Sequence, residues 1–358
     1  MSEEKLVPKL RFSGFDDEWK TYKLKDLLHN KSSSISINQL DDNVGNYPLY
    51  GASGFLKCID FYEMDVDYIS IVKDGSVGNL SFHEKNTSVV NTSQYILPKE
   101  NLNIHFIFYL LQTINLNKYK TGSTIPHIYF KDYSIEKVKI PKYDEQKKIG
   151  ILLKNLDAKI EILDNKLQMC QNFKKYLMQQ IFTQKLRFNF DDEWKQYKLK
   201  DVLTVKSSSI SINQLEENTG DYPLYGASGF LKNIDFCEMD VDYISIVKDG
   251  SVGNLSFHEK NSSIVNTSQY LLPKKNFNIN FLYYLLQTIN LMKYVNGSSI
   301  PHIYFKDYCI EKINIPSLDE QEKIGKLFVD VDITMENLNK NINATQEFKK
   351  GLLQQMFV

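Results

Sequence analysis

The sequence predicts an α+β chain. Two repeated mixed α/β domains are joined by two long antiparallel coiled-coil helices with internal pseudo-two-fold symmetry. The first observation behind this is a repeat. Lys9-Leu10-Arg11-Phe12 and Asp16-Asp17-Glu18-Trp19-Lys20 return as Lys185-Leu186-Arg187-Phe188 and Asp191-Asp192-Glu193-Trp194-Lys195, and from Trp19 onward the offset holds at 175 residues. The second is fidelity. Tyr47–Tyr95 and Tyr222–Tyr270 differ at four of 49 positions: Cys58/Asn233, Tyr62/Cys237, Thr87/Ser262 and Val89/Ile264. Copies this long are each a whole domain plus a helix, not turns of a solenoid. The third is a pair of heptad seams, one closing each copy.

Taken in order, residues 1–143 form the first domain, 144–184 a central spacer helix, 185–318 the second domain and 319–358 a C-terminal spacer helix. Within the first domain, Ile35–Ile37, Tyr68–Val72, Leu80–Phe82, Val89–Val90 into Tyr95–Leu97, and Ile135–Ile140 read as strands. They are short, β-branched or aromatic, and punctuated by Gly, Asn and Asp. Apolar residues at helical spacing predict a helix from Ile104 to about Lys118. After Ile140-Pro141 the acidic Asp144-Glu145-Gln146 starts the spacer helix. Its apolar residues Ile149, Leu153, Leu156, Ile160, Leu163, Leu167 and Cys170 step by 4, 3, 4, 3, 4 and 3, the seam of a coiled coil. At 1.5 Å per residue such a helix runs roughly 55–60 Å. Ile324, Phe328, Val331, Met335, Leu338 and Ile342 repeat the pattern. Each helix needs a partner, and the economical partner is the other copy. Like two subunits of a dimer, the copies would then relate by a local two-fold axis, with the domains at opposite ends of the helix pair.

A chain of 358 residues is long enough for two cores. Charged residues make up 24% and the net charge is −1, which neither announces nor excludes a polyanionic partner. Of 43 basic residues only Arg11 and Arg187 are arginine. Cys58, Cys170, Cys237 and Cys309 show no CxxC spacing and no counterpart cysteine in the other copy, as expected of reduced, buried thiols in a cytosolic protein. Met1–Lys9 has no apolar core for a signal peptide, and Phe106–Leu111 is too short to span a bilayer. A soluble, cytoplasmic protein is expected.

Five polar, glycine-punctuated segments look too exposed for a core. They are Lys31–Ser34, Tyr50–Gly54, Lys73–Asn79, Asn91–Tyr95 and Thr121–His127. Their Ser, Thr, Asn, Gln and Lys side chains are the donors and acceptors that hold phosphates or read base edges. Each segment alone could equally be an ordinary turn with side-chain capping. Near-identity in both copies, while the helices drift, points the set toward recognition. Enzyme motifs fail. No Gly-Lys-Ser/Thr follows the Gly75-Ser76-Val77-Gly78 loop, no GxGxxG follows a strand, and no GxSxG elbow exists. Asp17-Glu18-Trp19-Lys20 lacks the upstream Pro-Asp of a nuclease strand. His83, His127, His258 and His302 all lack metal-ligand spacing and read first as structural, with His127 and His302, in polar loops after Gly and Pro, the better functional pair. The candidate nucleic-acid contacts are Lys57, Lys73, Ser76, Asn79, Thr92, Ser93, Gln94, Thr124 and His127, with Lys232, Lys248, Ser251, Asn254, Thr267, Ser268, Gln269, Ser299 and His302 in the second copy. No catalytic or metal-binding residue is expected.

These residues resemble the specificity subunit of type I restriction–modification enzymes along essentially the whole chain. The resemblance is carried by Lys9-Leu10-Arg11-Phe12…Phe15…Glu18-Trp19, Tyr47–Gly54, Gly122-Ser123-Thr124 and Ile140-Pro141…Glu145-Gln146…Ile149, each repeated in the second half. It implies two target-recognition domains on an antiparallel two-helix spacer, binding double-stranded DNA. It also implies two docked methyltransferase subunits and further motor–nuclease subunits. S-adenosylmethionine and ATP would belong to those partners, with no cofactor bound by this chain. In that family the two recognition domains usually differ. Here they are almost one domain, so two-fold-related readers should read a bipartite target with inverted-repeat half-sites. The spacer helices would set the gap between them. The alternative is a symmetric coiled-coil adaptor that binds protein and no nucleic acid.

Overall fold

The computed structural model describes residues 7–40, 45–215, 220–297 and 301–357. The first copy runs β1 (Lys20–Lys23), α1 (Leu24–Leu27), β2 (Leu28–Ser32), β3 (Tyr47–Gly51), β4 (Gly54–Ile59), β5 (Tyr68–Val72), β6 (Leu80–His83), β7 (Ser88–Val89), β8 (Ser93–Pro98), α2 (Ile104–Gln112), α3 (Phe130–Tyr133), β9 (Lys137–Ile140) and α4 (Tyr143–Phe182). The second repeats it as β10 (Lys195–Lys198), α5 (Leu199–Val202), β11 (Leu203–Ser207), β12 (Tyr222–Gly226), β13 (Gly229–Ile234), β14 (Tyr243–Val247), β15 (Leu255–His258), β16 (Ser263–Ile264), β17 (Ser268–Pro273), α6 (Ile279–Gln287), α7 (Phe305–Tyr308), β18 (Lys312–Ile315) and α8 (Leu318–Met356).

Each domain is built around its most apolar strand. Every residue of β5, Tyr68-Ile69-Ser70-Ile71-Val72, is buried, so both of its faces must be covered. It lies inside an antiparallel sheet of order β2-β8-β5-β6. Ile69 and Ile71, with Ile96 of β8 and Leu28 of β2, pack under Phe106, Ile107 and Leu110 of α2. On the opposite face Tyr68 and Tyr95 meet Met64 and Val89, beside a second sheet of order β4-β3-β7. A short antiparallel pair, β1 with β9, ties the start of the domain to the strand that precedes α4. Helix α2 begins where the Asn103 side chain accepts from the Phe106 amide at 3.0 Å.

The chain folds as two compact units, Met1–Asp164 with Lys340–Val358, and Asn165–Asn339. Each unit therefore takes the first turns of one long helix and the last turns of the other. In the first unit Ile149 and Leu153 of α4 share the core with Leu352 and Met356 of α8, and Asp157 pairs with Lys349 at 2.6 Å. In the second, Leu177 and Ile181 of α4 share the core with Phe328 and Ile324 of α8, and Lys174 pairs with Asp332 at 2.6 Å. Partners descend one helix while ascending the other, so the packing inside each unit is antiparallel. Tyr109 donates to Asp157 at 2.7 Å and Tyr284 to Asp332 at 2.7 Å, which adds α2 or α6 to each clasp.

The two predicted long helices are present and begin one residue earlier than expected. Three details differ. The predicted strand at Ile35–Ile37 is a loop entering a 3-10 turn at Ile37–Gln39, and the real strand is the polar β2 upstream. The helix from Ile104 stops at Gln112, and Leu116–Tyr119 is a separate 3-10 turn capped by the Asn115 side chain. The four cysteines are free, as expected, but half-buried. Among the described residues no helix is long and apolar enough to cross a membrane.

Candidate nucleic-acid interface

Three of the five polar segments converge at one end of β5. The turn between β5 and β6 closes when Val72 N donates to Asn79 O at 2.9 Å and Gly78 N to Val72 O at 2.8 Å. The Asn91–Gln94 segment joins it through Thr92 O, which accepts from Lys73 N at 2.8 Å and Asp74 N at 3.2 Å. The Thr121–His127 loop docks on the other side, with Gly75 N donating to Pro126 O at 3.1 Å and Ile128 N to Lys73 O at 2.9 Å. That loop closes on itself by reciprocal Thr121–His127 amide bonds of 2.9 and 2.7 Å. Gly122 is required there. Its φ is +87°, and a Cβ would lie 2.5 Å from Ile125 O.

At the junction, Asp74 Oδ1 lies 2.6 Å from His127 Nδ1. The carboxylate can only accept, so Nδ1–H donates and Nε2 is left for another partner. The His127 ring stacks near-parallel to Tyr129, with centroids 6.4 Å apart, and Lys131 lies 5.4 Å above the Tyr129 ring. Ser76, Asn79, Asn91, Thr124 and Tyr129 are exposed around this pair. Among the described residues the second copy repeats these backbone bonds and the Asp–His pair. Thr267 O accepts from Lys248 N and Asp249 N at 2.9 and 3.2 Å, and Ile303 N donates to Lys248 O at 3.0 Å. Asp249 Oδ1 lies 2.6 Å from His302 Nδ1, and His302 stacks near-parallel to Tyr304.

The predicted residues sort clearly. Ser76, Asn79, Thr124 and His127 sit in the cluster, as do Ser251, Asn254 and His302. Lys73, Thr92, Lys248 and Thr267 belong to it half-buried, with their backbone groups tying the loops together. Ser299 lies outside the described residues. Ser93 and Gln94 are corrected: they are 2% and 4% exposed, because they already belong to β8, an inner strand of the sheet whose first four residues are buried on both faces. Ser268 is likewise buried and Gln269 half-buried on β17. Lys57 is elsewhere, on β4, where it donates to Leu40 O at 3.5 Å; Lys232 is its counterpart on β13. Lys31 is also apart. It reaches Glu63 O at 3.2 Å, beside the Tyr95 hydroxyl that donates to Glu63 at 2.6 Å, a clasp between the sheets.

Sequence reasoning missed Asp74 and Asp249. The available signal was their identity in both copies beside a likewise retained histidine loop. It also missed the use of the two arginines. Arg11 donates through Nε and Nη2 to Glu145 at 2.8 and 2.7 Å, and Arg187 to Glu320 at 3.1 and 2.7 Å. Both glutamates are buried in the first turn of a long helix, where an anion also meets the positive end of the helix dipole.

Comparison with known proteins places the fold in a family. A family profile described as the type I restriction modification DNA specificity domain matches residues 16–170 and 191–346. A type I specificity subunit of Mycoplasma pneumoniae is 23% identical over 353 residues, spanning 94% of this chain and 95% of that protein. The type I restriction enzyme MjaVIII specificity subunit of Methanocaldococcus jannaschii is 21% identical over 392 residues, spanning 94% and 91%. Among solved structures, the type I restriction–modification S subunit from M. genitalium superposes with a TM-score of 0.77 at 19% identity, covering 98% of this chain and 99% of that one.

Proposed function

This chain belongs to the type I restriction modification DNA specificity family, and from that premise we propose that each domain reads one half of a bipartite DNA target through its three-loop cluster. Recognition of DNA sequence within a restriction–modification complex is its function; the adaptor alternative is not favoured by the family match. One observation carries the finer reading. The cluster recurs in both copies with the same hydrogen bonds and the same Asp–His pair. Equal readers bind equal sequences, so the half-sites form an inverted repeat separated by a gap that the two long helices set. Two methyltransferase subunits dock on the helix flanks and adjoining domain surfaces. They bring S-adenosylmethionine, and motor–nuclease subunits bring ATP. This chain is the non-catalytic part.

The chain has no arginine to spare for a groove, since both are held by buried glutamates. Arginine on guanine is the commonest specific base contact. Readout therefore falls to Lys, Asn, Ser, Thr and His, and the half-sites lean toward A·T pairs. Methylation mapping of DNA from cells carrying this chain and its methyltransferase tests both points. A gapped inverted repeat rich in A·T is expected. Unrelated half-sites would overturn the equal-reader reading, and a strictly G·C half-site would overturn the base preference.

A further inference from the structure

The two domains are nearly one sequence, so the few places where their surfaces diverge carry information. One pair of differences falls together beside the recognition turn. In the first domain a depression of about 340 Å³ opens between the β5–β6 turn and the segment after α2. Gly78 and Asn79 border it on one side, and Gln112, Asn115, Asn117 and Lys120 on the other. Asn79, Gln112, Asn115, Asn117 and Lys120 are all exposed. The neighbouring Lys118 is already paired with Glu136 at 2.8 Å. Lys120 has no carboxylate in ion-pair range among the described residues, one residue before the loop that carries His127.

In the second domain Asn117 is replaced by Met292 and Lys120 by Val295. Val295 packs against the domain core. The Met292 sulfur sits 3.8 Å from where a Cβ on Gly253 would be, over the matching turn. Gln112, Asn115 and Asn79 keep their counterparts Gln287, Asn290 and Asn254, so what the second domain loses at this place is one amide and the cation. The two substitutions remove the Asn117 amide and the Lys120 charge, while Ser76/Ser251, Asn79/Asn254 and His127/His302 stay the same.

We propose that the Asn79–Asn117–Lys120 depression of the first domain is a DNA backbone-phosphate site that the second domain lacks. This rests on the reading that the loop cluster faces DNA. The chemistry fits: a lysine ammonium and amide N–H groups beside a glycine turn suit a phosphate, and phosphate contacts position a protein without reading bases. The two domains then recognise the same sequence but grip it unequally, the first with one contact more.

The test uses the full chain assembled with its methyltransferase subunits on a duplex bearing the methylated motif. Affinity is measured across salt. Each lost phosphate contact lowers the slope of log affinity against log salt by about 0.9. Lys120→Val should therefore reduce the slope by about that amount, or about 3.5-fold less affinity loss across a fourfold rise in salt. Met292→Asn with Val295→Lys should steepen it by the same amount, and neither should change the methylated motif. Unchanged slopes in both variants would overturn the proposal. So would a changed motif in either, since that would make the site a base reader. His127→Ala with His302→Ala tests the underlying reading separately. If those variants keep sequence-specific methylation, the cluster does not face DNA and the phosphate site falls with it; if they lose it while the slopes stay put, only the phosphate site is wrong.

Discussion

At the scale of single residues, the four repeated histidines divide into two kinds by what surrounds them. His83 lies between the rings of Tyr50 and Tyr68, with centroids 4.6 and 4.9 Å away, and its Nε2 meets the Ser70 hydroxyl at 2.9 Å. Burial holds its pKa down to about 4, and that of His258 likewise to about 4. The unfolded chain takes up these protons near pH 6.5 while the folded chain refuses them until about pH 4. Stability from this source is thus full above pH 6.5 and is lost as pH falls toward 4, by on the order of 3 kcal/mol per histidine. Urea unfolding from pH 7.5 to 4.5 should show the decline, and a His83→Gln/His258→Gln variant should flatten it; an unflattened slope would assign the effect to other groups. His127 and His302 do the opposite job, held at the surface by Asp74 and Asp249. Asp74→Ala should lower sequence-specific methylation while leaving the unfolding free energy within about 0.5 kcal/mol of the parent, as surface substitutions usually do. Arg11→Ala is a stability change instead. It leaves the buried Glu145 carboxylate unpaired, at a cost of about 3–5 kcal/mol, and urea unfolding reads the loss.

At the scale of elements, the helix seams show why some glycines look wrong in sequence and right in structure. Gly150 sits inside α4, where alanine would ordinarily gain about 1 kcal/mol. There a Cβ would lie 2.6 Å from Asn103 Oδ1 and 2.9 Å from Phe106 N, in the gap through which the N-terminus of α2 reaches α4. The contact is cemented by Gln146, which accepts from Asn103 N at 3.0 Å and donates to Pro141 O at 2.9 Å. Gly150→Ala should destabilise by about 1–3 kcal/mol through overpacking. Gly351 in α8 has nothing within 4 Å of an added Cβ, so Gly351→Ala should stabilise by about 1 kcal/mol. Calorimetry that found both variants shifting Tm the same way would refute this account of the helix packing. The same elements mark how much was legible. Heptad steps and a β-branched, aromatic β5 interrupted only by Ser70 are strong signals, and both were read correctly. β2 was not, because Leu28-His29-Asn30-Lys31-Ser32 lies at a sheet edge and exposes four of its five residues, so it has no apolar period to show. The buried Ser93 and Gln94 were misread for the converse reason: polar residues inside a strand look like a loop until the pairing with β5 is seen. The loop cluster was legible only as five separate segments, since the hydrogen bonds that gather three of them include pairs more than fifty residues apart in the chain, as Gly75 to Pro126.

At the scale of the whole molecule, duplication makes a prediction that few proteins permit. The offset of 175 residues holds through both domains without insertion or deletion from Trp19 and Trp194 onward. Residues 194–316 can therefore be replaced by the sequence of residues 19–141 with both junctions intact. In each copy the strand pair that closes the domain keeps its register, Lys20 opposite Ile140 and Lys195 opposite Ile315, and the helix start keeps Pro, Glu and Gln in place. If the two clusters are equal base readers, the complex carrying the transplanted chain should methylate the same gapped motif as the parent. A changed half-site would instead assign base-reading to a position that differs, such as Thr121/Asn296, which is bonded through its backbone to the histidine of the Asp–His pair. The transplant also carries Asn117 and Lys120 into the second domain. An unchanged motif together with a salt slope steeper by about 0.9 would then separate what the chain reads, which duplication has kept equal, from how firmly each half holds the backbone, which it has not.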